Sequence, residues 1–307
     1  MRIGIVSFSV GNPNASVFDV VDEIVRFERD GFAFASLPNI FGVDAITAIA
    51  LAGRETSRIE LATGVVPTPP RHPHALAQQA LTTQVAAGGR FVLGIGLSHK
   101  LVIENMFGLS YAHPARQMRE YLEVLVPLLH GKPAAFSGEH YRVNAALGVA
   151  GAKPVPVLVA ALGPQMLRVA GELADGTTTW MTGRKTLRDH IVPTIGAAAR
   201  EAGRPAPRVV AAIPIVLTND RAGALAACDQ AFAIYPNLPS YRAMLEREGV
   251  EKPSQIALVG DEKALRQGLA EFRDAGVTDF AASPFPAGAG VIERTVAFLR
   301  SELSAYA

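Results

Sequence analysis

The stretch Asp175-Gly176-Thr177-Thr178-Thr179-Trp180-Met181 ends a helical pattern with a glycine and begins a β-rich run at the next residue. Glycine adopts the left-handed conformation that closes a helix at no steric cost, so this glycine indicates a helix-to-strand junction. The same punctuation recurs at Asp30-Gly31, Gly88-Gly89 and Ala275-Gly276. Four such junctions spread along the chain predict one repeating strand–helix unit rather than two unrelated domains.

Eight β-rich runs alternate with helical patterns. They lie at 2–8, 33–37, 59–65, 91–95, 155–161, 177–181, 208–217 and 277–282. Strands that alternate with helices form a parallel sheet, and eight units in about 250 residues or more are typical of a closed barrel. We therefore expect an α/β fold, a (β/α)8 TIM barrel, with an open doubly wound sheet as the alternative.

Residues 1–307 are expected to form a single barrel domain with two excursions from the repeat. The segment 131–153 carries Gly, Pro and Ser around a short Tyr141-Arg142-Val143 run. The segment 235–254 holds three prolines around a short helical pattern at 241–248. Neither segment has the low complexity of a linker between domains.

Composition narrows the class of partner. The chain has 29 Lys and Arg against 28 Asp and Glu, for a net charge of +1, and 49% of its residues are hydrophobic. Nucleic-acid phosphates call for clustered basic residues, so no nucleic-acid partner is expected. No run of about 18 or more apolar residues occurs, so no membrane span is expected either. The remaining expectation is a small-molecule substrate.

Three further expectations concern disulfides, metal sites and a signal peptide. Cys228 is the one cysteine, which excludes an intrachain disulfide and fits a reducing, cytoplasmic compartment. No His, Cys or acidic cluster has metal-ligand spacing, so no metal site is expected. The start Met1–Val10 is typical of a strand and not of a signal peptide.

In such barrels the active site lies at the carboxyl ends of the strands, so the loops that follow them are the places where functional residues are expected. After the third strand, Gly64 permits a sharp bend or a close approach to a ligand, and four prolines stiffen the loop. Arg71 and His72 then lie next to a helix start, where an anion can bind free N–H groups. The alternative is a rigid structural loop with a solvated arginine.

After the fourth strand, the Gly94-Ile95-Gly96 spacing permits close contact with a planar ligand, although a third glycine in register is missing for a phosphate fingerprint. His99 is the side chain in this loop best suited to proton transfer near neutral pH. A surface histidine in a loop is the alternative reading.

Two further loops are candidates. Gly163 and Pro164 begin a helix whose free N–H groups form an anion site, or else make a plain tight turn. Trp180 ends the sixth strand with two cations, Arg184 and Lys185, just beyond it. The indole is either a wall for a ring or part of the core, and the cations are either ligands or solvated.

At these segments the sequence resembles the luciferase-like superfamily, and within it the branch that uses the deazaflavin coenzyme F420. The resemblance covers nearly the whole chain. Its motifs are Ala62-Thr63-Gly64-Val65-Val66-Pro67 with Arg71-His72-Pro73, Gly89-Arg90-Phe91-Val92-Leu93-Gly94-Ile95-Gly96, Ala161-Leu162-Gly163-Pro164, Leu173-Ala174-Asp175-Gly176, Leu258-Val259-Gly260-Asp261 and Ala275-Gly276-Val277-Thr278-Asp279-Phe280.

The resemblance implies a barrel, often dimeric, that holds a flavin or deazaflavin at the strand ends. It places a bulge, often with a cis non-proline peptide, at Gly64-Val65-Val66, and a phosphate loop at 163–165. The coenzyme-binding residues expected are Thr63, Gly64, Val65, Gly94, Gly96, Gly163, Pro164, Gln165, Trp180, Arg184 and Lys185. The last two would lie near the phosphate or the acidic tail of the coenzyme.

One departure from the family concerns the segment after the second strand, Leu37-Pro38-Asn39-Ile40-Phe41, where relatives often carry a histidine. Asn39 would orient the coenzyme ring there, and His99 would be the catalytic acid or base. The missing histidine puts a dehydrogenase for sugar phosphates or alcohols in doubt.

The function expected is hydride transfer from reduced F420 to an activated C=C or C=N bond of a small organic substrate. An FMN-dependent monooxygenase is one alternative, and a coenzyme-binding protein with little catalysis is another. Lys100 and Lys185 lie past the strand ends, which disfavours Schiff-base chemistry. A homodimer is expected, although the apolar faces at 45–52 and 76–86 are also explained by packing within one barrel.

Overall fold

A computed structural model describes residues 1–306. Within that range the strands are β1 (Arg2–Val6), β2 (Phe34–Leu37), β3 (Glu60–Thr63), β4 (Val66–Pro67), β5 (Phe91–Gly96), β6 (Ala134–Ser137), β7 (Arg142–Ala145), β8 (Val157–Ala160), β9 (Gly176–Trp180), β10 (Arg208–Leu217), β11 (Leu258–Gly260) and β12 (Asp279–Pro284). The α-helices are α1 (Val17–Asp30), α2 (Ala45–Glu55), α3 (Pro73–Ala86), α4 (Pro114–Leu129), α5 (Pro164–Leu173), α6 (Arg184–Thr186), α7 (Val192–Glu201), α8 (Arg221–Ala231), α9 (Pro239–Glu248), α10 (Glu262–Asp274) and α11 (Val291–Glu302). Short π-helical segments span Leu101–Met106 and Leu187–Ile191.

Eight of these strands close a parallel barrel in the order β1, β2, β3, β5, β8, β9, β10 and β12. Closure is complete because β12 pairs with β10 on one side and with β1 on the other. The (β/α)8 barrel predicted from the sequence is confirmed, and the open doubly wound sheet is wrong. A further strand, β11, pairs in parallel with the last residues of β10.

The helices begin and end at residues that cap them. Ser16 caps α1 by accepting a hydrogen bond from the N–H of Asp19, whose carboxylate accepts one from the Ser16 N–H in return. Gly31 then ends α1 in the left-handed conformation, with φ of 88°. The predicted junction at Asp30-Gly31 is therefore confirmed, and Gly276 has a positive φ of 91° at the corresponding place before β12. At Asp175-Gly176 the strand follows as predicted, but the glycine does not close the helix: α5 ends at Leu173, and Gly176 is the first residue of β9.

Two apolar layers fill the fold. Inside the barrel, one side chain from each of several strands packs in a small cluster: Phe34, Ala62, Val92, Leu158, Val210 and Ala281. A larger core lies between the strands and the surrounding helices. This division follows from strand geometry, since alternate residues point to opposite faces of the barrel wall.

An ion-pair network closes the amino-terminal end of the barrel. Arg2 and Arg208, at the starts of β1 and β10, each pair with Glu60 and Asp279, at the starts of β3 and β12. The Asp279 side chain is only 2% exposed, and both guanidinium groups reach it. Because this end is filled, the opposite end, where the strands finish, is the one open to a ligand.

The two excursions carry secondary structure of their own. Residues 131–153 contain the β6–β7 hairpin, and residues 235–254 contain α9, which agrees with the predicted helical pattern at 241–248. The Glu120 carboxylate accepts backbone N–H bonds from the hairpin turn, at 3.1 Å from Glu139 and 2.7 Å from His140. Glu120 is buried because it anchors the hairpin, and its Oε1 also lies 3.5 Å from Nε of Arg116. Within residues 1–306, no helix combines the length and apolar character needed to cross a membrane.

Candidate active site

A backbone bulge lies between β3 and β4. Leu61 and Ala62 pair with Phe91 and Val92 of β5, and Val66 and Pro67 pair with Ile95 and Gly96. Three residues, 63–65, therefore stand opposite two, 93–94, which is the geometry of a β-bulge. The Gly64–Val65 peptide bond is cis. The bulge and the non-proline cis peptide expected at this position are both confirmed.

Glycines at three positions make room for this bulge. A Cβ on Gly94 would overlap the Thr63 carbonyl oxygen, and a Cβ on Gly96 would lie 2.9 Å from Cγ2 of Val65. A Cβ on Gly64 would overlap Oγ of Ser36. The Gly-x-Gly spacing after the fourth predicted strand thus has a packing cause, because Thr63 and Val65 occupy the space that side chains would take.

Asn39 lies in the loop between β2 and α2. Its side-chain oxygen accepts a hydrogen bond of 2.9 Å from the N–H of Ala45, the first residue of α2. Arg71, another residue noted in the sequence, is held by Asp44, with 2.9 Å between Nη2 and Oδ2. The amide group of Asn39 therefore keeps its N–H donors for a ligand, whereas the charge of Arg71 is already paired.

His99 follows β5 by three residues and is half-buried. Its ring centroid lies 5.7 Å from that of Tyr241 on α9. The residue before it, Ser98, has a left-handed backbone with φ of 59°, and the Ser98 carbonyl accepts a 3.1 Å bond from the Tyr111 hydroxyl. Burial lowers the pKa of His99 below its usual value, so the imidazole is mainly neutral near pH 7.

A chain of aromatic rings, here called the ring bridge, crosses the carboxyl end of the barrel. Trp180 at the end of β9 packs against Phe232 at 5.7 Å, and Phe232 packs against Phe285 after β12 at 5.5 Å. Phe232 also contacts Tyr235 at 5.7 Å, and Tyr235 contacts Tyr241 at 4.6 Å. Tyr241 then reaches His99, so the bridge joins β9 and β12 to the loop after β5.

Four members of the ring bridge were missed in the sequence: Phe232, Tyr235, Tyr241 and Phe285. The signal for Phe232, Tyr235 and Tyr241 was a cluster of aromatic residues in and next to the 235–254 excursion, whereas Phe285 lies in the loop after the last predicted strand. The cluster was not used because the excursion follows β10 and α8 along the chain, and only the fold brings it over the strand ends. Trp180, which was predicted, is half-buried, and its indole Nε1 has no hydrogen-bond partner among residues 1–306.

The helix starts near the predicted anion-binding residues differ. At α3, the His72 ring already caps the helix by accepting a hydrogen bond from the His74 N–H. At α5, Gly163 is the N-cap and offers no side-chain cap, Pro164 is the first residue, and a Cβ on Gly163 would meet nothing within 4 Å. At α6, the Glu248 carboxylate already accepts the N–H groups of Lys185 at 3.2 Å and Thr186 at 2.8 Å. The first-turn N–H groups therefore lack a side-chain partner at α5, whereas at α6 they are already bonded to Glu248.

The side chains next to the first turns of α5 and α6 also differ. A groove of about 560 Å³ between α4, α5 and α7 includes Pro164 and Gln165 in its lining, together with Arg168. Arg184 instead turns to the outer helix α10, where it pairs with Glu271 at 2.6 Å and covers the Phe272 ring at 5.6 Å. Lys185 is exposed. A role for Arg184 or Lys185 with a coenzyme stays a prediction, and the charge of Arg184 already has a partner.

Comparison with known proteins gives a consistent match. A family model described as luciferase-like monooxygenase matches residues 1–281. The F420-dependent glucose-6-phosphate dehydrogenase of Nakamurella multipartita is 30% identical over 262 residues, covering 82% of this chain and 72% of that protein.

Solved structures share the fold. The coenzyme F420-dependent tetrahydromethanopterin reductase of Methanopyrus kandleri has a TM-score of 0.82 at 23% identity, covering 99% of each chain. The oxygenating constituent of 3,6-diketocamphane monooxygenase of Pseudomonas putida, solved with FMN, has a TM-score of 0.75 at 17% identity, covering 100% of this chain and 98% of that one.

Proposed function

We propose that this chain, an oxidoreductase of the luciferase-like monooxygenase family, uses reduced F420 to transfer hydride to a small organic substrate. One observation carries the proposal. The bulge at Gly64–Val65, the open start of α5 and the neutral His99 all lie at the carboxyl ends of neighbouring strands, β3, β5 and β8. That end of a barrel is where ligands bind in this fold.

The start of α5 fits a phosphate-bearing coenzyme. The N–H groups of Gln165 and Met166 belong to the first turn, have no side-chain cap and face no Cβ at Gly163. Free N–H donors and the positive end of the helix dipole favour an anion there. We therefore expect residues 163–166 to hold the coenzyme phosphate, and Arg168 to add a positive charge nearby.

The bulge supports the ring of the coenzyme. The side chain of Val65 packs closely against Gly94 and Gly96, whose missing side chains leave the space that it occupies. Asn39 can donate a hydrogen bond from its amide group because its oxygen is already used by Ala45. These residues orient the coenzyme, which when bound supplies a hydride donor.

His99 moves the proton that accompanies the hydride. Its lowered pKa gives a neutral resting imidazole, with one nitrogen that donates and one that accepts. Once protonated it is a stronger acid than an ordinary histidine, so it readily releases its proton to a substrate atom. The ring bridge contacts His99 through Tyr241, which contributes to the burial of the imidazole.

The test measures the oxidation of reduced F420 when enals or imines are added. The absorbance of F420 is monitored in the absence of oxygen. We expect substrate-dependent oxidation that His99→Gln slows by about 10²-fold. No oxidation with any substrate, but tight F420 binding, would favour a coenzyme-binding protein. Oxygen consumption with reduced FMN and an enal or ketone, without F420 turnover, would instead favour a monooxygenase.

We also propose a homodimer formed through α2 and α3. These neighbouring helices leave Leu51 and Val85 exposed, by 41% and 42%, on outer faces that the barrel does not cover. Sedimentation velocity is the test: Leu51→Glu together with Val85→Glu should convert the dimer to a monomer, and a wild-type monomer would contradict the proposal.

A further inference from the structure

The loops at the carboxyl end of the barrel leave large apolar side chains in solvent. Six of them, here called the apolar rim, are exposed by 41% to 66%: Ile40, Phe41, Leu101, Met106, Phe107 and Ile234. Single exposed apolar residues are ordinary on a protein surface, but a group of them at one end of a barrel indicates a binding surface.

The apolar rim is continuous with the candidate site. Ile40 and Phe41 directly follow Asn39, and the segment 101–107 begins two residues after His99. Ile234 lies between Phe232 and Tyr235 of the ring bridge. A molecule whose reacting group lies at His99 would therefore extend from the site onto these side chains.

Charge is scarce along the rim. The segments 38–43 and 232–241 contain no Asp, Glu, Lys or Arg. In the segment 101–107 the one charged residue is Glu104, which faces Lys100 at 3.7 Å between Oε2 and Nζ. A phosphorylated or highly charged substrate would need free cations at this place, whereas a hydrocarbon needs apolar area.

We propose that the substrate is lipophilic, with an activated C=C bond, conjugated to a carbonyl group as in an enal, at His99 and a long hydrocarbon portion lying across the apolar rim. This inference rests on the proposed function and adds the class of substrate to it. One hydride and one proton add across the C=C bond, which balances the two-electron oxidation of the coenzyme. The hydrocarbon portion takes no part in the chemistry and supplies binding free energy.

Trp180 provides a direct binding assay. It is the one tryptophan of the chain and belongs to the ring bridge. The probes are dodecanol and butanol, two unreactive alcohols that differ only in the length of the hydrocarbon chain, added to the full chain without coenzyme. We expect Trp180 fluorescence to report dodecanol binding with a Kd at least about tenfold below that of butanol, since each buried methylene adds affinity.

Variants localise the binding surface. Phe41→Ser and Met106→Ser remove exposed side chains, so folding should be unaffected, and each should raise the Kd for dodecanol about threefold or more. Phe18→Ser is the matched control, since Phe18 is 70% exposed on α1, outside the rim. Its Kd for dodecanol should equal that of the wild type.

Three results would overturn the inference. Equal affinity for dodecanol and butanol would show that the rim binds no hydrocarbon. Co-sedimentation with phosphatidylcholine vesicles that requires Phe41 and Met106, without dodecanol binding, would assign the rim to a membrane surface. A change in sedimentation coefficient on Met106→Ser would assign it to contact with a second copy. Failure of the proposed function has a different signature, since dodecanol would still bind while reduced F420 would show no substrate-dependent oxidation.

Discussion

Thr63 and Gly94 exchange two hydrogen bonds across the bulge of the barrel wall. The Thr63 hydroxyl donates to the Gly94 carbonyl at 2.8 Å and accepts from the Gly94 N–H at 2.8 Å. Both groups of Gly94 would otherwise lack a strand partner, because residues 63–65 leave the regular ladder here. One side chain, itself 2% exposed, thus replaces two backbone bonds of the sheet.

Thr63→Val should destabilise the protein by about 2–4 kcal/mol, because it leaves two buried backbone groups unpaired. Thr63→Ser keeps the hydroxyl and should cost much less. Urea denaturation of the two variants is the measurement. Equal stability of the valine and serine variants would contradict the assigned role.

Gly94→Ala should destabilise the fold by about 1–3 kcal/mol, because the added methyl would overlap the Thr63 carbonyl oxygen. Gly163→Ala is the control, since a Cβ there meets nothing within 4 Å and its φ of −81° suits any residue. Thermal unfolding of both variants should show a lower Tm for the first alone. A Gly94→Ala protein as stable as the wild type would mean that the bulge does not need the glycine.

The reduction of a substrate should slow as pH rises through the pKa of His99. Because burial lowers this pKa below 6.5, the protonated fraction, and with it kcat/KM, should already decline below pH 6.5. The pH profile of kcat/KM for wild type and His99→Gln is the measurement. The variant should lose this dependence, and a profile that it shares with the wild type would assign the proton to another group.

Asp279→Asn should destabilise the protein by about 3–5 kcal/mol, since it leaves the guanidinium groups of Arg2 and Arg208 with one anion fewer at a buried position. Asp274→Asn is the control, because Asp274 is 67% exposed in its pair with Arg273. Guanidinium denaturation separates the two. A small loss for Asp279→Asn would mean that the network adds little to closure of the barrel.

The barrel was predictable because its signal is repetitive. All eight predicted β-rich runs overlap the strands of the barrel, and glycine closes the first helix at Gly31 as expected. Short elements were missed for a physical reason. The strand β11 is three residues long and takes its stability from pairing with the end of β10, which no local pattern reveals.

The candidate site was predicted less completely. The bulge at Gly64–Val65 came from resemblance to a family, and the residues alone indicated only a sharp bend. The partners that occupy Arg184 and the α6 start, Glu271 and Glu248, lie 87 and 62 to 63 residues away in sequence. The contact between His99 and Tyr241 was not predictable for the same reason: the two residues are distant in sequence, and only the folding of the 235–254 excursion over the barrel brings them together.

Binding of F420, compared with FMN, to the cofactor-stripped protein tests the central claim most directly. The account predicts tight binding of F420, weak binding of FMN, and loss of F420 affinity when Gln165 and Arg168 are replaced together by glutamate, which opposes the phosphate at the start of α5. Preference for FMN, or binding of neither, would contradict the account.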